Sequence, residues 1–424
     1  MLQRFILCAK LYVKNSCNTH ASACALGFLF SIIPIVMLIL IVLVRFFHTT
    51  PDILFNFIDT QALFLDAGKT KELIENLLFT KKIGFFEISL SVFIIWTCQR
   101  FFLSIVTALK SIFHSKIHKK SILNAAFLFS GEILFVVSTA LMLFISTLVI
   151  SFFSSSLSTS PFITQFISEK ARLFFISLGI KIARLLPYTI LFPALICIFR
   201  FISGTKPSWF LCVFFSFLCV LAVFILQFAF SFFLQNYRYN LIYGILSRLI
   251  VLLLEVYIFF VIFLVCAQMI YVIQFFNVVF PAELYTLSDT DTNNPASAIE
   301  RRVFLRKSRM IQENCTCKTY CEGSILYKKG EQSGEVLCIL TGSIELSDEI
   351  ETIRLGRGAF IGDLSSFLHL NRLYTAKALT DIECISLTSE HFSKSILSQP
   401  QSAQKLFSTV SAYCRSFMDE KTGF

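Results

Sequence analysis

Among the formal charges inside long apolar runs of this chain are Arg100, Glu132, Arg184, Arg248 and Glu255, with Gln99, Gln227 and Gln268 as polar company. A charge in such a run costs about a few kcal/mol to insert in lipid, so it faces a bundle interior or a watery cavity, where a proton or solute path would use it. Arg100 stands nine residues before the end of its run, at Leu109, and Glu132 nine residues after the start of the next, at Leu123. At about 1.5 Å rise per residue the two share one depth of an antiparallel hairpin, which predicts a buried ion pair. Glu255 lies twelve residues into the last run, with Arg248 two turns earlier on roughly the same face. It reads as a neutral carboxyl, as a partner of Arg184, or as a transport residue. No set of His, Asp and Glu, and no nucleophile with a base, is grouped as catalysis requires, which argues against an enzyme. The 14 cysteines are scattered, and Cys315, Cys317 and Cys321 lack a second ligand cluster at zinc spacing. They read as free thiols.

These residues need elements to hold them. The chain of 424 residues is 56% hydrophobic and only 15% charged, far from the balance of a water-soluble domain. A span needs roughly 20 apolar residues. Six runs qualify: Ala23–Phe47, Ile83–Leu109, Leu123–Phe153, Phe174–Phe201, Trp209–Leu234 and Tyr243–Phe275. The first is too long for the apolar core of a signal peptide and is read as a span. Basic residues gather on alternate connections: Arg4, Lys10 and Lys14; then Lys110, Lys116, Lys119 and Lys120; then Arg200 and Lys206; then Arg301, Arg302, Arg306, Lys307 and Arg309. The loop over 48–82 is instead acid-rich, with a short interfacial helix expected over Gly68–Phe79. The positive-inside rule therefore puts both termini in the cytoplasm, and an even span count agrees.

Beyond Ala282 the composition changes. Residues 282–295 read as a polar linker and Ala296–Gln312 as a basic helix. Short strands separated by glycines follow at Ser324–Tyr327, Val336–Leu340, Ser343–Leu346, Thr352–Leu355, Ala376–Leu379 and Glu383–Leu387. Two helices close the chain, near Ser389–Ser398 and from Pro400 to about Met418. Such spacing predicts a small antiparallel barrel or jelly roll.

Two resemblances add to this reading. Ser22-Ala-Cys-Ala-Leu-Gly-Phe-Leu-Phe-Ser-Ile-Ile-Pro34, and Tyr239-Asn-Leu-Ile-Tyr-Gly244 with the run ending Cys266-Ala-Gln268, resemble the first and last spans of the YihY/BrkB family of bacterial inner-membrane proteins. The resemblance implies six spans and a permease or exporter role. Glu255 stands where that family often has Trp, and Cys266-Ala-Gln268 replaces its Gly-Ala-Glu. The tail resembles a cyclic-nucleotide-binding domain through Glu322-Gly-Ser-Ile-Leu-Tyr-Lys-Lys-Gly330-Glu331, Val336–Leu346, Leu355-Gly-Arg-Gly358-Ala-Phe-Ile-Gly362-Asp363-Leu-Ser-Ser-Phe and Asn371-Arg372-Leu-Tyr-Thr-Ala-Lys-Ala378. In that family a short helix after a glycine turn offers N–H groups to a phosphate, and an arginine supplies the charge. Carried over, Gly362, Leu364 and Ser365 form the amide cradle, Arg372 anchors the phosphate and Asp363 takes the ribose 2′-hydroxyl, with Tyr374 and Thr375 beside them. Asp363 replaces the family's Glu and is one methylene shorter, while Leu373 and Tyr374 replace small residues.

The expectation is a multi-domain chain: a six-helix transmembrane bundle over 1–281, a linker and basic helix over 282–309, and over 310–424 a cytosolic β-roll of cupin-like jelly-roll type with C-terminal helices. It sits in a bacterial inner membrane, is not an enzyme and binds no nucleic acid. Its partners are the lipid bilayer and a cyclic nucleotide, cAMP or cGMP, which regulates a transport domain. The alternative is a non-transporting scaffold whose degenerate tail serves protein contact or a homodimer.

Overall fold

A computed structural model describes residues 2–31, 85–114, 145, 185, 188–236, 244–287, 295–305, 316–348 and 351–422. The chain divides into two compact units, Leu11–Ile270 and Met1–Lys10 with Tyr271–Phe424.

In the first unit the long helices are α2 (Phe85–Phe113), α3 (Trp209–Asn236) and α4 (Gly244–Gln274); α1 (Leu2–Lys14) precedes them. Among the described residues, Trp209–Phe232 and Ile250–Gln274 are long and apolar enough to cross a membrane, with mean hydropathies of 2.9 and 3.0. They coincide with the last two expected spans, and α2 with the second. The third span, the six-span count and the interfacial helix of 68–79 lie outside the described residues. A seam of rings packs this unit: Phe28 meets Phe101 at 5.6 Å, Phe101 meets Phe260 at 6.0 Å, and Phe199 stacks on Phe263 at 5.1 Å. Phe199 belongs to a π-helical turn, Ile198–Ile202. On the outward face of α3, Phe210 and Phe228 are 78% and 71% exposed, as side chains bound for lipid are.

The second unit holds an antiparallel β-roll. Its strands are β1 (Thr316–Tyr320), β2 (Ile325–Tyr327), β3 (Glu335–Thr341), β4 (Ile344–Ser347), β5 (Thr352–Leu355), β6 (Phe360–Ile361), β7 (Thr375–Ala378) and β8 (Ile382–Thr388). They form two four-stranded sheets, β1-β8-β3-β6 and β2-β7-β4-β5. Leu337, Ile339, Ile344, Ile361, Ala376, Ala378 and Ile382 fill the space between them. Gly342 makes the β3–β4 turn at φ +91°, and a Cβ there would come within 2.5 Å of the Asp381 carbonyl, so only glycine fits. Two strands were not expected, the two-residue β6 and β1, an exposed edge strand, TCKTY, paired with β8. Strand β1 has no apolar alternation to announce it.

Helices clothe the roll: α5 (Phe276–Leu287), α6 (Pro295–Phe304), α7 (Asp363–Phe367), α8 (Ser389–Leu397) and α9 (Pro400–Thr422). Thr388 caps α8 by accepting from the His391 N–H at 3.4 Å, and Pro400 opens α9 as expected. The segment read as a linker is helical through Leu287, because Ala282, Leu284, Tyr285 and Leu287 are all buried. Their apolar area outweighs the polar residues that follow. The N-terminal arm joins this unit: Lys10 pairs with Glu283 at 3.4 Å and Glu300 at 3.2 Å, and Gln3 donates to the Val303 carbonyl at 3.0 Å.

Candidate functional site

The turn between β6 and α7 is built around Gly362. Its φ of +73° is left-handed, and a Cβ there would fall 1.7 Å from Arg372 Nη1. The guanidinium lies where any side chain on residue 362 would go, so glycine is required for shape as well as for φ. Arg372 is set by its backbone: its N–H donates to the Glu331 carbonyl at 2.8 Å, and its carbonyl accepts from the Gly330 N–H at 2.9 Å. The side chain then turns inward. Nη2 donates to the Glu335 carbonyl at 2.6 Å, and the guanidinium carbon sits 4.2 Å from the centre of the Tyr327 ring. Arg372 is 5% exposed, yet Nη1 has no hydrogen-bond partner. A buried cation with an unclaimed N–H is costly unless an anion completes it.

Around this arginine the electrostatics are ordered. Glu335 accepts from Lys318 Nζ at 2.5 and 2.7 Å and from the Ser386 hydroxyl. Burial alone would raise the Glu335 carboxyl, but Lys318, Ser386 and Arg372 outweigh it and hold the group below its ordinary range. Burial pushes the Tyr327 phenol up to about 12, so the ring beneath the guanidinium stays neutral.

The other expected nucleotide-site residues gather nearby with mixed engagements. Ser365 is buried, its hydroxyl 3.3 Å from that of Ser333 and donating to the Gly362 carbonyl at 3.3 Å. The Thr375 hydroxyl accepts from the Lys329 N–H at 3.1 Å. Tyr374 packs, half-buried, against the roll's core. Leu364 lies in the first turn of α7, its carbonyl accepting from the Leu368 N–H at 3.0 Å. Asp363 Oδ2 accepts from the Tyr285 hydroxyl of α5 at 3.0 Å. Burial lifts the Asp363 carboxyl, offset in part by Tyr285, by the N–H groups of Leu364 and Asp363, and by Lys405. Sequence reasoning missed Tyr285, Tyr327 and the Glu335 carbonyl. No local pattern marks them, since their separation in sequence from the phosphate-binding cassette, Gly362 to Arg372, is closed only by the fold.

The intramembrane candidates divide differently. Arg100 is exposed on α2, its guanidinium 4.7 Å from the centre of the Trp96 ring. Its expected partner Glu132 lies outside the described residues, as does Arg184. Arg248 is on α4, its side chain not among those described, and Glu255 is half-buried on the same helix. Gln268 is buried and accepts from Asn15 Nδ2 at 3.2 Å.

These features define a membrane protein with a helical N-terminal region followed in sequence by an antiparallel cyclic-nucleotide-binding-type domain. The family model described as Virulence factor BrkB matches residues 9–279, more than half of the chain. The chain belongs to that family. The model described as Cyclic nucleotide-binding domain matches residues 317–399. No curated protein matches the chain. Among solved structures, the Thermus thermophilus Catabolite Activator Protein is 20% identical over 27% of this chain and 56% of its own, with a TM-score of 0.23. The chain thus spans little more than half of that relative. The Sp-2Cl-cAMPS-bound PKAR CBD2 is 16% identical over 35% of this chain and 89% of its own, at 0.24. The cAMP-bound PfPKA-R is 17% identical over 35% and 46%, at 0.24.

Proposed function

We propose that this chain is a bacterial inner-membrane protein whose BrkB-family domain acts as a permease or exporter, regulated by a cyclic nucleotide bound to its cytosolic tail. The observation that carries the ligand reading is Arg372: buried, held by backbone bonds and a ring, and left with Nη1 unclaimed beside the Gly362 turn. A cyclic phosphate supplies the missing acceptor as a charge-assisted bond. The domain match over 317–399 supports a cyclic nucleotide, cAMP or cGMP, as that anion. Both termini are cytoplasmic in this reading, consistent with the pairing of Lys10 with Glu283 and Glu300. Six spans and a non-enzymatic role complete it.

A scaffold reading is favoured by one observation, the bond of Arg372 Nη2 to the Glu335 carbonyl, which satisfies part of the guanidinium without ligand. Calorimetric titration of the detergent-solubilised full chain with cAMP, cGMP and cyclic dinucleotides separates the two. Loss of a charge-assisted bond is worth about 1.5–3 kcal/mol, so Arg372→Ala should weaken binding about ten- to a hundredfold. A folded chain that takes up none of these ligands at millimolar concentration sinks the sensor reading.

A further inference from the structure

The nucleotide reading above is the footing here, and Asp363 sharpens what the site recognises. Its resemblance-based role is to accept a ribose 2′-hydroxyl. In the structure that carboxylate is already engaged by the Tyr285 hydroxyl at 3.0 Å. Tyr285 is itself held in place. It is 2% exposed, and its ring centre lies 5.2 Å from that of Phe360 and 5.7 Å from that of Phe392. Lys405 Nζ sits 4.6 Å over the same ring and donates to the Tyr285 carbonyl at 2.7 Å. A sugar hydroxyl that reaches Asp363 displaces the tyrosine from Oδ2 or shares the carboxylate's charge with it. Either way the bond gained is offset in large part by one weakened or broken, and adds little to binding. Arg372 is the contrast: its Nη1 has nothing to give up.

We propose that the tail holds its ligand by the cyclic phosphate on Arg372 and does not read the ribose 2′-hydroxyl, with Tyr285 as the positioning residue that keeps Asp363 engaged. Ribo- and 2′-deoxyribo-cyclic nucleotides then bind alike.

Calorimetry on the full chain in detergent, with cAMP and 2′-deoxy-cAMP as probes, tests this. The two dissociation constants should agree within about twofold, whereas a working carboxylate–hydroxyl contact would separate them about ten- to a hundredfold. Tyr285→Phe should free Asp363 and open a preference for cAMP of up to about tenfold. Asp363→Asn, which keeps the size and the tyrosine bond, should leave the two affinities equal. A wild-type preference for cAMP of about tenfold or more, abolished by Asp363→Asn, overturns the inference and leaves the nucleotide reading standing. Equal affinities in Tyr285→Phe overturn the positioning role. Uptake of neither probe by the folded chain removes the nucleotide reading and the inference together.

Discussion

Helix α3 and strand β3 are both rich in large apolar residues, and they use them in opposite directions. On α3, Phe210, Phe217, Phe228 and Phe232 are all more than half exposed. On β3, Val336 through Leu340 are each at most 2% exposed. One element offers its apolar surface to a solvent, and the other hides it from one. Lipid as the solvent of α3, as its membrane-protein family implies, reconciles the first with the second, because in water both surfaces would be driven inward. The two regions also treat charge differently. In the tail, Lys318, Glu335 and Arg372 are tied into one network, while Arg100 on α2 rests on a tryptophan face.

The contrast makes different substitutions costly in the two regions. The largest effect is expected at Phe392, fully buried between Tyr285 and Phe360. Phe392→Ala should destabilise the tail by about 3–5 kcal/mol, whereas Phe228→Ala on α3 should cost little, since lipid replaces the ring. Labelling of the buried thiols Cys338 and Cys384, localised by mass spectrometry during urea unfolding, reads the tail alone. A smaller tail loss than that from Phe228→Ala would undo the comparison.

Next in size is charge insertion. Phe228→Lys should cost about 2.5–3.5 kcal/mol of membrane insertion, seen as lost yield in the membrane fraction, while Ile325→Lys, at an exposed position of β2, should stay within about 0.5 kcal/mol. Equal tolerance of both would mean that α3 faces water.

Gly362→Ala comes third. The added methyl meets Arg372 Nη1 and sits at positive φ, so the arginine must move. A loss of about 1–2 kcal/mol in tail stability is expected. Nucleotide uptake should fall with it, and unchanged uptake would reject the assigned geometry.

The smallest effect is one of pH. Glu335 is held below its ordinary range, so it contributes stability above its unfolded value and loses it as the pH falls below about 4.3. Asp363 is lifted, so its protonation on acidification acts in the opposite direction and favours the folded tail. Glu335→Gln should therefore flatten the acid side of the tail's stability profile. A profile left as steep would assign acid sensitivity elsewhere.

Much of the architecture is legible in the residues themselves. Apolar runs of span length announce the last two membrane helices, because hydropathy needs no tertiary partner to act. The strands from Ser324 to Leu387 show through their alternation and glycines, and Pro400 marks its helix. What the sequence could not fix is whatever depends on contact across distance. The edge strand β1 is polar and acquires its conformation by pairing with β8. Residues 282–287 look like the start of a linker until Tyr285 finds Phe360 and Phe392. The cassette shows the division most sharply. Type and spacing single out Gly362, Asp363 and Arg372, since a turn, a carboxylate and a cation are properties of single residues. Which partner each one takes is not: the fold gives Asp363 to Tyr285 and leaves one nitrogen of Arg372 open, because hydrogen bonds are settled by ångström-scale placement that only packing supplies.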